Sequence, residues 1–264
     1  PKFMRIRMDE IKKFYDERKK NIDEIGKDHD LKEISNKWIQ KSSEHKWAYN
    51  FSWFGRPAIQ FPNDAWAMQE LIWDVKPDLI IETGIAHGGS LIFSASMLAM
   101  LDYTEACKNG EILNPTKSKR KVLAIDIDIR EHNKKEIEEH PLFNLIEMIE
   151  GSSIDTSIVL KVNEFAANYR KILVCLDSNH THDHVLEELK AYGPLVSKNS
   201  YCVVFDTGIE DWPEGSFSNR PWDKRNNPKT AVYDFLKGNP NFLIDKSISD
   251  KLCISVAPDG FLKK

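Results

Sequence analysis

One stretch limits the fold of this chain more than any other: Asp78–Leu91, reading D-L-I-I-E-T-G-I-A-H-G-G-S-L. An apolar run, Leu79 to Ile81, meets Glu82 and Thr83; Gly84, Gly88 and Gly89 follow, and a second apolar segment starts at Leu91. Glycine takes positive φ without penalty and lets another group approach where a Cβ would block it. The pattern predicts a buried strand, a tight turn and a helix whose start is capped by Ser90. The first amides of such a helix face the turn with the positive end of the helix dipole. A turn of this kind suits a nucleotide-like ligand.

The same alternation continues along the chain. Strands are predicted at Leu79–Glu82, Lys121–Asp126, Leu145–Ile149, Ile172–Asp177, Tyr201–Asp206, Phe242–Asp245 and Leu252–Val256. Helices are predicted at Leu91–Leu101, Asn133–Glu139, Ser157–Asn168, His182–Leu189 and Thr230–Lys237. Another, capped by Asn63 or Asp64, ends before Pro77. Short apolar strands alternating with helices give an α/β fold, its mostly parallel sheet covered on both faces. Residues 1–46 carry apolar residues at helical spacing (Ile11, Phe14, Tyr15, Ile22, Ile25) among lysines and glutamates, and read as surface helices. The aromatic segment 47–62 either caps the core or walls a pocket. We divide the chain into an N-terminal helical and aromatic extension, 1–62, and a ligand-binding domain, 63–264. The loop 207–229, with Trp212, Phe217 and Trp222, is placed to lie over the site.

Composition excludes several classes. The 37 basic and 41 acidic residues give a net charge of −4, so bulk attraction to nucleic acid is not expected. No apolar run reaches the roughly 20 residues of a membrane span, and Pro1–Lys13 has no apolar signal core. Cys175, Cys202 and Cys253 lie in apolar runs and read as buried free thiols. A cytoplasmic, reducing location is the expectation.

Three acids end apolar strands: Asp126, Asp177 and Asp206. In an open parallel sheet those ends converge on the ligand crevice. Asp126 is placed to accept hydrogen bonds from ribose hydroxyls. Asp177 opens D-S-N-H-T-H-D-H, where His180 lies in the turn and suits proton transfer near neutral pH. His182 and His184 suit a solvated helix start instead. Asp177 and Asp206, on adjacent strands, suit a shared divalent cation through hard oxygen ligands; a loop cap is the plainer reading of Asp206.

Five motifs in order, E-T-G-I-A-H-G-G-S, A-I-D-I-D, I-E-G-S-S, L-D-S-N-H-T-H-D-H-V and V-F-D-T, resemble the cephalosporin hydroxylase/rhamnosyl O-methyltransferase family. That family belongs to the class I S-adenosylmethionine-dependent methyltransferases, and the similarity runs from about Trp53 to the C-terminal S-V-A-P-D-G-F-L. The resemblance implies a Rossmann-like seven-stranded sheet with S-adenosylmethionine over the first glycine turn. It implies that Glu82, Thr83, Gly84, Gly88, Gly89 and Ser90 hold the methionine part, Asp126 the ribose, and Ser152 or Ser153 the adenine. It also implies a catalytic pair, His180 as base and Asp177, with Asp177 and Asp206 as ligands to Mg²⁺. The family's further metal-site Glu is Phe205 here, a departure that removes one ligand and leaves Asp183 or water to replace it.

The activity implied is methyl transfer to a hydroxyl of a sugar or glycosylated small molecule, by a homo-oligomeric enzyme. Hydroxylation fits less well, because a non-haem iron site needs two His and one carboxylate and the H-x-D/E start of that triad is missing. Two other readings stay open. T-G-I-A-H-G-G also resembles the turn of short-chain NAD(P)-dependent oxidoreductases, and Tyr15–Lys19 and Tyr233–Lys237 match their Y-x-x-x-K spacing. A non-catalytic nucleotide-binding module would bind its ligand without turnover.

Overall fold

Strand β3 (Leu79–Thr83) lies at the centre of the molecule because none of its five residues has a solvated face. Its side chains alternate, as strand geometry requires. Ile80 joins a core on one side of the sheet, and Leu79 and Ile81 join a core on the other. The protein is seen in a computed structural model that describes residues 2–264, with side chains described from residue 9 onward.

The chain begins with two helices, α1 (Lys2–Lys27) and α2 (His29–Ser43), and a hairpin of β1 (Phe51–Trp53) and β2 (Arg56–Ala58). Asp28 caps α2 by accepting the Leu31 N–H at 2.9 Å. Helix α3 (Pro62–Val75) leads into β3, and α4 (Gly89–Asn109), β4 (Lys121–Asp126), α5 (Glu131–Glu138) and β5 (Ile146–Glu150) follow. Then come α6 (Thr156–Ala166), β6 (Ile172–Leu176), α7 (His182–Tyr192), β7 (Tyr201–Val204) and α8 (Pro228–Gly238). The chain closes with β8 (Leu243–Ile244), α9 (Lys246–Leu252) and β9 (Phe261–Lys263).

The seven-stranded sheet has the order β5-β4-β3-β6-β7-β9-β8. The first five strands are parallel; β9 runs antiparallel to both β7 and β8. The crossover from β3 runs outward to β4 and the one from β6 runs the other way to β7, so the strand order reverses between β3 and β6. That reversal opens a crevice beyond the carboxyl ends of the strands. Helices α3 and α4 cover one face with Leu71, Leu91 and Leu98; α6, α7 and α8 cover the other with Val162, Leu189 and Val232. The α/β architecture read from the sequence is the one observed.

Several elements differ from the sequence reading. Leu252–Val256 is no strand. Asp64, buried in the first turn of α3, accepts the Ser255 hydroxyl at 2.5 Å and the Val256 N–H at 3.0 Å and draws that segment away from the sheet. The last strand is Phe261–Lys263, whose Phe261 and Leu262 are fully buried against β7. Asp64 is therefore not the cap of α3, which is entered from Phe61 with Pro62 in its first turn. Helix α4 is capped by Gly88 rather than Ser90 and runs about two turns beyond Leu101. Cys253 is exposed, at positive φ where α9 ends. The β1–β2 hairpin and α9 carry too few residues to show a periodicity. Among the described residues no helix is long and apolar enough to cross a membrane.

Candidate active site

The turn after β3 is fixed by contacts that only glycine allows. Gly84 has φ +90°, and a Cβ there would stand 2.1 Å from the carbonyl oxygen of Asp177. The turn thus lies directly against the end of β6. A Cβ on Gly89 would stand 2.3 Å from the carbonyl oxygen of Pro57, because the β1–β2 hairpin rests on the start of α4. From the hairpin, buried Arg56 donates to the His87 carbonyl through Nε at 3.0 Å and Nη2 at 2.8 Å, and to Asn133 Oδ1 at 3.1 Å. Asn133 in turn donates to the Ala86 carbonyl at 2.9 Å. From below, Asp126 Oδ2 accepts the Ile85 N–H at 2.7 Å.

Carboxylates crowd the opposite side of the turn. Asp177, His180 and Asp206 each offer a ligand atom within 4.8 Å of the others. His180 Nε2 lies 3.3 Å from Asp206 Oδ2, and its ring meets Trp222 edge-on at 4.7 Å. Asp206 is held at φ +55°, a left-handed conformation unusual outside glycine. Burial, and then the negative charges of Asp206, Glu82, Glu188 and Asp64, push the Asp177 carboxyl well above the ordinary range. Burial raises both Glu82 and Asp64 to about 7. Like charges this close favour protonation unless a cation joins them. The two carboxylates fit a divalent cation as hard oxygen donors, with the His180 imidazole beside them, and a cation there would relieve that repulsion. Phe205 is buried in the core and contributes nothing to the cluster.

Gly84, Gly89, Ser90, Asp177, His180 and Asp206 line one cavity of about 670 Å³. Trp212, Phe217 and Trp222 close one side of it, as expected of loop 207–229, and Tyr49 and Phe61 of the aromatic segment wall another. That segment does both things considered for it, since Trp53 packs on Phe93 in the core. Glu82 lies beneath, at a second hollow of about 50 Å³ that shares Gly89, Ser90 and Asp177 with the first.

Other residues singled out in the sequence stand elsewhere. Thr83 is buried in β3, where its carbonyl accepts the Asp177 N–H at 3.0 Å. Gly88, Asp126, Ser152 and Ser153 do not line the cavity. Ser153 is turned inward: its hydroxyl donates to Glu188 Oε1 at 2.5 Å, which also accepts from Ser178 at 2.6 Å. His184 belongs to that cluster, 3.0 Å from Ser153 Oγ, and is not a solvated helix-start residue. Asp183 is exposed and outside the ligand cluster. Tyr233 binds Asp259 at 2.9 Å, and neither it nor Lys237 reaches the cavity. Arg56, Asn133 and Glu188 went unnoticed in the sequence, because each has at least one partner more than 30 positions away.

A family described as rhamnosyl O-methyltransferase/CmcI matches residues 45–264. A rhamnosyl O-methyltransferase of Mycobacterium tuberculosis is 29% identical over 232 residues, covering 83% of this chain and 82% of that protein. One of Mycobacterium leprae is 30% identical over 176 residues, covering 64% and 68%. Among solved structures, apo CmcI is similar with a TM-score of 0.52 at 16% identity, covering 82% of this chain and 76% of that one. A form of CmcI with Mg and SAM has a TM-score of 0.50 at 17% identity, covering 81% and 76%. At such identities the structural likeness is one of fold.

Proposed function

Because this chain belongs to the rhamnosyl O-methyltransferase/CmcI family, we propose that it transfers a methyl group from S-adenosylmethionine to a hydroxyl of a sugar or glycosylated small molecule. One observation carries the reading: the glycine turn and the Asp177–His180–Asp206 cluster share a single cavity. Donor and acceptor can then meet in one enclosed place. The names of the relatives favour a rhamnosyl acceptor.

S-adenosylmethionine, when bound, supplies a methyl group on a sulfonium, an electrophile that needs no further activation. Gly84, Gly89 and Ser90 hold its methionine end, with Glu82, Thr83 and Gly88 shaping the turn beneath. Asp126 Oδ2 holds the Ile85 amide and Oδ1 the Asp128 amide. Oδ2 also faces the Ala86 amide at 3.4 Å, which leaves Oδ1 the oxygen with a lone pair for a ribose hydroxyl. Ser152 is the residue of E-G-S-S left to border the adenine. His180 takes the proton of the acceptor hydroxyl as its oxygen forms the new C–O bond and the C–S bond breaks. Asp177 and Asp206 would hold Mg²⁺, which as a Lewis acid orients the hydroxyl and lowers its pKa. Holding the two reactants in line removes much of the entropic barrier.

A thermal-shift screen with S-adenosylmethionine, S-adenosylhomocysteine and NAD(P), each with and without Mg²⁺, tests the reading. Stabilisation by the first two alone is expected, with methylation of a rhamnoside seen by mass spectrometry. Stabilisation by NAD(P) and none by S-adenosylmethionine would overturn it in favour of an oxidoreductase.

A further inference from the structure

The family match begins at residue 45, yet the cavity extends beyond it. Asn36, Ile39, Gln40 and Ser43 of α2 form part of its wall. Their spacing, i, i+3, i+4 and i+7, puts all four on one helical face. Asn36, Gln40 and Ser43 make no side-chain hydrogen bond among the described residues. A row of two carboxamides and a hydroxyl, each a donor and an acceptor, is thus presented to one hollow.

The helix is built to hold that position. Trp38 packs edge-on against Trp47 at 4.8 Å, and Trp47 against Phe61 at 5.1 Å, which joins α2 to the cavity wall. At its other end Lys32 pairs with Asp250 of α9 at 3.8 Å. Close by, a Cβ on Gly26 would stand 2.3 Å from Asp250 Oδ2. Held through Trp38 against the segment that walls the cavity, the helix presents its polar face with less loss of entropy on binding than a free helix would. Elsewhere the cavity offers the aromatic rings of Trp212 and Trp222. Aromatic faces suit the C–H faces of a sugar ring, and neutral amides suit its hydroxyls.

We propose that α2, through Asn36, Gln40 and Ser43, determines acceptor specificity by hydrogen-bonding the sugar hydroxyls that are not methylated. The proposal rests on the methyl-transfer reading and adds to it a recognition element that the family match does not cover. The reacting hydroxyl must lie at His180; the α2 side chains are outside that cluster and serve the rest of the ring.

The test uses the full chain, with p-nitrophenyl α-L-rhamnoside as probe and S-adenosylhomocysteine present. Calorimetry compares the wild type with the double variant Asn36→Leu/Gln40→Leu, in which leucine preserves helix propensity. Loss of two neutral hydrogen bonds is expected to weaken glycoside binding about tenfold or more, with S-adenosylmethionine affinity unchanged. In the wild type, the glycoside is expected to slow amide exchange in α2, and S-adenosylmethionine alone is not. The exchange measurement does not depend on the variant folding. Equal glycoside affinity in the two proteins, no glycoside binding to the wild type, or unaltered exchange in α2 each overturns the assignment. Failure of S-adenosylmethionine itself to bind would instead remove the methyl-transfer reading beneath it.

Discussion

At the residue scale, the site depends on two positions whose neighbours leave no freedom. Gly84→Ala would put a methyl group into the Asp177 carbonyl at a backbone angle that L-residues resist. We expect a loss of about 2–4 kcal/mol and a thermal midpoint lower by about 5–10 °C, with S-adenosylmethionine binding lost in calorimetry. His180→Ala should leave the fold and S-adenosylmethionine affinity intact and lower turnover by about 10²–10⁴-fold. Its Mg²⁺-induced thermal shift should persist, since two carboxylates remain. Disappearance of that shift would make His180 a ligand rather than the base. The placement of both residues at the cavity was legible in the sequence, because a glycine in a strand–helix turn and a histidine just after a strand-end acid fall at the carboxyl ends of the strands. The gathering of buried Ser153 and half-buried His184 around Glu188 was not, because it depends on α7 packing against β6 and reaching the loop after β5.

At the scale of elements, the β1–β2 hairpin holds the donor turn from outside. Arg56 satisfies the His87 carbonyl and Asn133, which orients the turn through Ala86. Arg56→Ala would leave those groups without their charged donor, at a cost of about 2–3 kcal/mol. S-adenosylmethionine binding should weaken at least tenfold, measured by calorimetry. Arg56→Lys should recover only part of it, since one ammonium cannot reproduce the fork of the guanidinium. The hairpin escaped the sequence reading because its two strands have three residues each, too few for alternation to register. The last strand escaped for another reason: Leu252–Val256 is as apolar as Phe261–Lys263, and only the Asp64 contact separates them.

At the scale of the whole molecule, the packing gathers more acid than the site can hold ionised. Glu82 ionises near 4.5 in the unfolded chain and at about 7 in the folded one. The folded state therefore binds more protons between those values, and stability falls as pH rises through the window. The contribution is intact below pH 4.5 and is lost above 7, on the order of 3 kcal/mol. In urea titrations without ligand, Glu82→Gln should lose less stability than the wild type between pH 5 and 8. An identical slope in both proteins would contradict the burial assigned to Glu82. Mg²⁺ should raise the thermal midpoint of the wild type, and Asp177→Asn should abolish that shift. A cation bound only in the folded state stabilises it by mass action.

The sequence by itself determined the α/β class, the order of the first five sheet strands along the chain, and the residue types at their carboxyl ends. These follow from local periodicity and from glycine, whose backbone freedom has no substitute in a tight turn. Only the tertiary structure decided that Asp177, His180 and Asp206 meet, that Asp126 grips the turn while Ser153 turns away, and that α2 reaches the cavity. Such facts belong to pairs of residues far apart in the chain, brought together by packing that no local pattern records.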